Sequence, residues 1–314
     1  MTLNLLITVD VDQDGANIEN ERTSLSWGCL EQIPAIKQIF RGFDLYTTWF
    51  VRADNQLETF YGSPAYLLLA YNWLWKELAA SGDEIAWHPH VYRRTNTGEY
   101  RMETDEHRFC SQLTGIRADL KREGFEHLSV RVGEAFGTNL IMRTLAGLGL
   151  KADSSAIPGR RRADSARTFD WALSPNQPYV PDVNDYRVPA VTRGLSIVEV
   201  PMTTAPIQAP YDKEPLLRYM NLSYRHPFFK QAVEAYLTSV EHWPGDTYFT
   251  LIVHPDEVMP ERPAHPLYEF SLASVERNLN YLLEAIASRG MGVRSLAVRT
   301  VPEFIGLPTW ERSR

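Results

Sequence analysis

The stretch Gly82–Tyr92, GDEIAWHPHVY, sets two of the chain's eight histidines two positions apart, behind an apolar run that reads as a strand. Side chains at i and i+2 of a strand point to the same face, so His88 and His90 project together. Pro89 between them fixes its own φ and biases His88 toward an extended backbone. Two imidazoles held on one side of a rigid strand end are half of a metal site. A second pair, Asp10 and Asp12 of LLITVDVDQD, has the same i, i+2 spacing at the polar end of another apolar run. One carboxylate plus two imidazoles is a facial ligand set for Zn2+ or a similar divalent ion. If one aspartate binds the ion, the other can serve as a base, provided something keeps it ionised. Arg131 is the candidate, because a nearby guanidinium lowers a carboxylate's pKa. His254, closing the run TYFTLIVHP, is the candidate for an opposing acid. That is the layout of a metal-assisted hydrolase, with a base for the attacking water and an acid for the leaving group.

These residues can meet only if their strands end on the same side of one sheet. Periodicity and stop signals predict strands at Leu3–Val11, Thr47–Val51, Ile85–Trp87, Ser129–Val132, Lys151–Ser154, Ser196–Met202, Thr247–Pro255 and Gly292–Val298. Helices are predicted over Leu30–Arg41, Ala65–Ser81, Asp105–Glu123, Gly137–Leu148, Phe228–His242 and Ala273–Ser288, several of them stopped by a glycine. Alternating strand and helix is the signature of a parallel sheet with crossover helices. With about seven or eight β/α units and no internal repeat, the expected fold is a barrel or a barrel-like open sheet. In such a barrel the working residues sit at the C-terminal strand ends. Asp10, Asp12, His88, His90, Arg131, Asp153 and His254 all fall there. Residues 158–194, rich in Arg, Pro, Asp and Asn, are expected to run over the strand ends and form part of a substrate cleft. The basic clusters RRTNTGEYR (Arg93–Arg101) and GRRRAD (Gly159–Asp164) read as solvated loops, with contact to a phosphate-bearing substrate as the alternative. Trp49, Trp87 and Phe136 stand beside the polar strand ends, where an aromatic ring could stack on a sugar.

Composition narrows the partners. The chain has 314 residues, 44% hydrophobic and 11% aromatic, enough for a large core within a single domain. No composition shift or linker divides it, so residues 1–314 are expected to form one catalytic domain. The net charge of −7 argues against nucleic acid or an anionic membrane as the main partner, since both reward a basic face. Cys29 and Cys110 are the only cysteines, too few for a cysteine zinc site and expected as free thiols in a reducing compartment. The opening MTLNLLITV has no basic segment, and no window approaches the ~20 apolar residues of a membrane helix. A soluble, cytoplasmic protein without a membrane span is expected; the sequence leaves the oligomeric state open.

LLITVDVDQD, TTWFVRAD, GDEIAWHPH, VRVGEAFGTNLIMRTLAGLGLKADSS, VEVPM and LIVHPDE fall in the order, and near the spacing, of the motifs of the polysaccharide deacetylase superfamily, which the chain therefore resembles. This superfamily has the NodB homology domain and includes carbohydrate esterase family four. The resemblance spans Leu5 to about Glu257. It implies a distorted (β/α)7 barrel, with Asp10 as base, Asp12 as metal ligand, His88 and His90 as further ligands, Arg131 holding the base, and His254 as general acid. It implies one divalent ion, zinc first among the choices, and removal of an N-acetyl group from a sugar or glycan intermediate. Substrate contacts are expected from Trp49, Trp87, Glu134, Phe136 and Asp153. The chain departs from the family in two places. Family members commonly space the two histidines four apart, and four past His88 stands Tyr92; the third motif continues Val-Gly-Glu-Ala-Phe, adding Glu134 beside the site. Asp14, in the Gln13-Asp14-Gly15 continuation of the first motif, is a further candidate ligand. Two alternatives stand beside the leading one: hydrolysis of a linear or cyclic amide that is not a sugar, and a non-catalytic barrel that binds glycan. Asp10, Arg131 and His254 are all present, which ranks the latter lowest.

Overall fold

The computed structural model describes residues 1–15, 25–164, 167–259 and 262–306. Its frame is a curled, all-parallel sheet of β1 (Thr2–Val11), β2 (Thr47–Arg52), β3 (Glu84–His88), β4 (Ser129–Val130), β5 (Ala152–Asp153), β6 (Val198–Glu199) and β7 (Thr247–Val253). In space the strands run β6-β5-β4-β3-β2-β1-β7, and β8 (Gly292–Ser295) pairs with the first residues of β1. β1, β2, β3 and β7 are buried on both faces, by crossover helices outside and by the packed interior of the curl inside, which is why those segments read as continuous apolar runs. The helices that matter for the site are α1 (Ile33–Gly42), α2 (Asn55–Tyr61), α3 (Tyr66–Ala70), α4 (Asn72–Ala80), α5 (Glu106–Arg122), α6 (Asn139–Gly147), α7 (His226–Val240), α8 (Leu272–Ser288) and α9 (Val301–Ile305). No described helix is long and apolar enough to cross a membrane.

The period of two within each strand sorts side chains between two cores. Leu3, Leu5, Ile7 and Val9 of β1 join the large cluster between sheet and helices, while Leu6 joins Phe50, Ala86, Ala152 and Val198 in a smaller cluster inside the curl. Asn4, Thr8, Asp10 and Asp12 share the parity of Leu6 and so belong to the inner face. Parallel register then aligns the strand ends, pairing Asp10 with Phe50, Arg52 with His88, Trp87 with Val130, and Val130 with Asp153. Between β6 and β7 no ladder closes the curl among the described residues. Irregular backbone does so instead: Thr203 and the Met220–Leu222 segment hydrogen-bond to Thr250 and Ile252 of β7.

Three expectations change. The helix expected over Ala65–Ser81 is two helices, broken at Tyr71 (φ −112°, ψ 28°). The indole of Trp75 donates to the Leu67 carbonyl at 2.9 Å, which also accepts from the Tyr71 amide at 3.1 Å, so the second helix is tied by a side chain to the last turn of the first across the break. Helix α2 lies in a stretch not expected to be helical. Asp54 caps it by accepting from the Gln56 and Leu57 amides, and Gly62 ends it at φ 79°. The two basic clusters are not plain loops. RRTNTGEYR lies within the hairpin Tyr92–Arg94/Tyr100–Met102, and GRRRAD opens the hairpin Arg161–Ala163/Thr168–Asp170.

Candidate active site

The rim formed by the C-terminal strand ends carries the chemistry. β1 delivers Asp10 with Asp12 just past its end, β3 delivers His88 with His90 just beyond, the residue after β4 is Arg131, and the residue after β7 is His254. All six side chains line one cleft.

Arg131 is buried and almost fully satisfied. Its Nη1 donates to Asp10 Oδ1 at 2.6 Å and to Thr8 Oγ1 at 2.9 Å, while Nε and Nη2 donate to the Ser154 carbonyl and hydroxyl, each at 2.8 Å. The guanidinium stacks 4.3 Å from the Phe50 ring centroid, so the inner core supports it from below. Only Asp10 among these acceptors is ionic, so the arginine and the candidate base are tied together as a pair.

Asp12 Oδ1, His88 Nε2 and His90 Nε2 form a triangle with sides of 3.0, 3.2 and 3.6 Å. The other nitrogen of each ring is fixed. His88 Nδ1 donates to the Arg131 carbonyl at 2.6 Å; His90 Nδ1 lies 2.9 Å from the Tyr92 hydroxyl, which in turn donates to Glu134 Oε1 at 3.3 Å. A ring whose Nδ1 proton is so held presents an Nε2 lone pair. Two such lone pairs facing each other beside a carboxylate repel unless a cation lies between them. Asp12 Oδ1 is buried with no hydrogen-bond partner among the described residues, as a ligand atom would be. A tetrahedral ion with bonds of ~2.0–2.1 Å keeps its ligand atoms ~3.3 Å apart, so the triangle fits one. The electrostatics agree. Burial opposes charge on Asp12, yet His90 and His88 hold its carboxyl well below the usual range; burial opposes charge on His88, yet Asp12 raises it. The cluster demands positive charge, and a proton or a divalent ion can supply it.

Backbone geometry makes room for this arrangement. A Cβ on Gly133 would lie 2.5 Å from the His90 ring, so only glycine lets that ring lie where it does. Glu134 and Ala135 come next with φ of 58° and 55°, left-handed values that cost energy outside glycine. The twist aims Glu134 back at Tyr92 and at Arg167, whose Nε lies 2.5 Å from Glu134 Oε2.

Across the cleft, His254 Nε2 lies 3.9 Å from Asp10 Oδ2 and its Nδ1 lies 3.3 Å from Glu257 Oε1. Burial would hold the imidazole down, but Glu257 and Asp10 raise it well above the ordinary histidine range. The charged form of His254 is therefore favoured, and the ring faces the candidate base.

Several expected substrate contacts fall elsewhere. Trp49 and Trp87 have the parity of the outer face, so they point at the helices; their indoles donate to Asp83 Oδ2 at 2.8 Å and to the Ala53 carbonyl at 2.9 Å. Phe136 is buried edge-on against Phe109. Asp153 is buried beneath the rim, receives the Ser155 hydroxyl at 2.5 Å, and pairs in register with Glu199. Asp14 accepts from Ser26, Gly28 and Cys29, which engages it in the following loop and not among the ligands. Glu134 does line the cleft. The 158–194 segment contributes Arg167 and Phe169 to the lining, joined by Tyr219 from a later hairpin. Arg167, Tyr219, Gly133, Tyr92 in its supporting role, and Glu257 escape a reading of the sequence. Glu257, three residues past His254, Gly133, two past Arg131, and Tyr92, two past His90, stand close enough to a motif to have been found there.

No protein-family model matches the chain, and no curated protein matches it in sequence. Among solved structures, a Mycobacterium smegmatis protein provisionally named a polysaccharide deacetylase superposes with a TM-score of 0.54 at 18% identity, covering 97% of this chain and 90% of that one. The catalytic domain of a peptidoglycan N-acetylglucosamine deacetylase from Eubacterium rectale gives a TM-score of 0.40 at 12% identity, over 95% and 90% of the two chains, too distant to carry weight. The first likeness is one of fold. It agrees with the distorted (β/α)7 barrel of NodB type that the sequence motifs imply.

Proposed function

We propose that residues 1–314 form one catalytic domain, a metal-dependent hydrolase that removes an N-acetyl group from a sugar or glycan intermediate. The observation that carries this reading is the pair of imidazoles, each fixed through Nδ1, converging with Asp12 at 3.0–3.6 Å opposite an Asp10–Arg131 pair and His254. Asp12, His88 and His90 would hold one divalent ion, zinc by ligand type. When bound, such an ion supplies Lewis acidity, polarising a carbonyl oxygen and acidifying water. Asp10, kept in place by Arg131, takes a proton from the attacking water. His254 Nε2 gives a proton to the nitrogen as it leaves, which an amide requires. Tyr219 and Phe169 replace Trp49, Trp87 and Phe136 as the aromatic contacts available to substrate, and Glu134 remains a candidate. A non-sugar amide is a second reading, favoured by the apolar wall of Ile157, Phe169, Met202 and Ile252.

The test is elemental analysis of protein purified without chelator or added metal, together with acetate release from N-acetylated sugars. One ion per chain, lost in His90→Ala, is expected. Stoichiometric metal surviving in His90→Ala would sink the ligand assignment.

A further inference from the structure

We infer that Glu257, latched by Asn221, is the positioning residue that aims the His254 ring at Asp10 and keeps the proton on its Nδ1. The inference rests on the reading of His254 as the general acid. His254 opens a tight turn whose 3-10 helix, Pro255–Val258, has proline in its first position, so the chain folds back on itself within one turn. Glu257 is fully buried. Its Oε2 accepts from the His254 backbone amide at 3.0 Å, and both oxygens accept from Asn221 Nδ2 at 2.9 and 3.1 Å. The orientation of Asn221 is itself fixed, because its Oδ1 accepts from the Ser223 amide at 2.7 Å and so leaves Nδ2 toward Glu257. Asn221 can stand there because its segment runs parallel to β7 at Ile252, closing the gap in the barrel.

A carboxylate in this position has an amide and a backbone N–H as hydrogen-bond partners, and neither carries charge. Burying it unpaired would be costly, and His254 Nδ1, at an ion-pair distance of 3.3 Å from Oε1 and with no hydrogen bond to any other described residue, is the cation that balances it. The other charged or titratable groups facing His254 are Asp10 with Arg131 behind it, Tyr219, and Asp256, which is drawn to Arg262 at 3.1 Å. With Nδ1 turned to Glu257, Nε2 is turned to the cleft. In the proposed reaction the Nε2–H bond breaks as the nitrogen–hydrogen bond of the leaving amine forms. The electron pair stays on Nε2, and the Nδ1 proton remains against Glu257, so the neutral ring ends as a single tautomer ready to be recharged.

The test is the imidazole NMR titration of His254 in the wild-type protein, Glu257→Gln and Asn221→Ala, with pH profiles of kcat and kcat/KM. Glutamine keeps the size and shape of the side chain and an oxygen acceptor, so the fold should survive; Asn221→Ala, which leaves the charge but unlatches it, serves if it does not. In Glu257→Gln the His254 midpoint should fall by about one pH unit or more. The alkaline limb of kcat/KM should fall with it, while KM stays within about twofold and metal content is unchanged. A merely structural Glu257 would lower thermal stability and leave both the midpoint and the limb in place. That result, or a midpoint within about 0.3 units of wild type in a folded variant, overturns the inference. A midpoint that collapses in Glu257→Gln while no amide is hydrolysed by any variant upholds the clamp and removes the reading of the reaction.

Discussion

Replacing Asp10 by asparagine separates charge from shape at the candidate base. The side chain keeps an oxygen where Arg131 Nη1 donates at 2.6 Å, and Arg131 keeps its bonds to Thr8 and to both Ser154 oxygens. What is lost is one buried negative charge. Breaking a buried ion pair by removing one partner costs ~3–5 kcal/mol. Here the guanidinium retains every hydrogen bond, so the expected loss of stability is smaller, about 1–3 kcal/mol, against a total of about 5–15 kcal/mol. The variant should remain folded at assay temperature. The metal content should not change, because the Asp12–His88–His90 cluster does not include Asp10. Turnover should fall by ~10²–10⁴, about 3–5 kcal/mol in the barrier, mostly in kcat. Acetate release from N-acetylated sugars, with elemental analysis and thermal melting on the same preparation, measures all three quantities. Near-full turnover in Asp10→Asn would refute the assignment and pass the base role to Glu134 or Asp256.

Tyr92→Phe removes the hydroxyl that sits 2.9 Å from His90 Nδ1; competition with a chromogenic chelator should show metal affinity lower by about 10–100-fold with the fold unchanged, and equal affinity would detach Tyr92 from the metal. Gly133→Ala sets a methyl 2.5 Å from the His90 ring, so it should cost metal occupancy more than it costs melting temperature; a fully loaded variant would contradict the close approach. Glu199→Gln relieves the buried Asp153–Glu199 pair. Burial and the Asp153 charge raise Glu199 well above the usual carboxylate range, and burial raises Asp153 to about 6. The folded chain therefore binds more protons than the unfolded one, and this pair makes the wild type less stable as pH rises from about 4 through 6. The glutamine variant should melt a few degrees higher at pH 7.5 and lose that advantage near pH 4, as calorimetry at the two pH values would show; a variant less stable at pH 7.5 would refute the pairing.

The sequence by itself determined the barrel and the rim. Buried parallel strands must be apolar on both faces, so their segments stand out, and the polar residues that close each segment mark a strand end on one side of the sheet. Asp10, Asp12, His88, His90, Arg131 and His254 are therefore legible as a group from the chain alone, with the i, i+2 spacing placing each pair on one face. The same parity argument, applied to Trp49 and Trp87, turns them outward, but which face is inner is decided only once the sheet has curled. Tertiary structure alone decided the rest. Tyr92 reads in the sequence as a missing ligand, and becomes a support for His90 because Glu134, on a strained turn from another strand, reaches back to it. Asp153 reads as a rim acid, and lies buried because register sets it against Glu199. Arg167, Tyr219 and Asn221 have no local signal at all. Tyr219 arrives on a hairpin strand and Arg167 and Asn221 on irregular chain, all on paths fixed by packing and by hydrogen bonds to distant segments, and a pattern of nearest neighbours in sequence carries no record of contacts made across the fold.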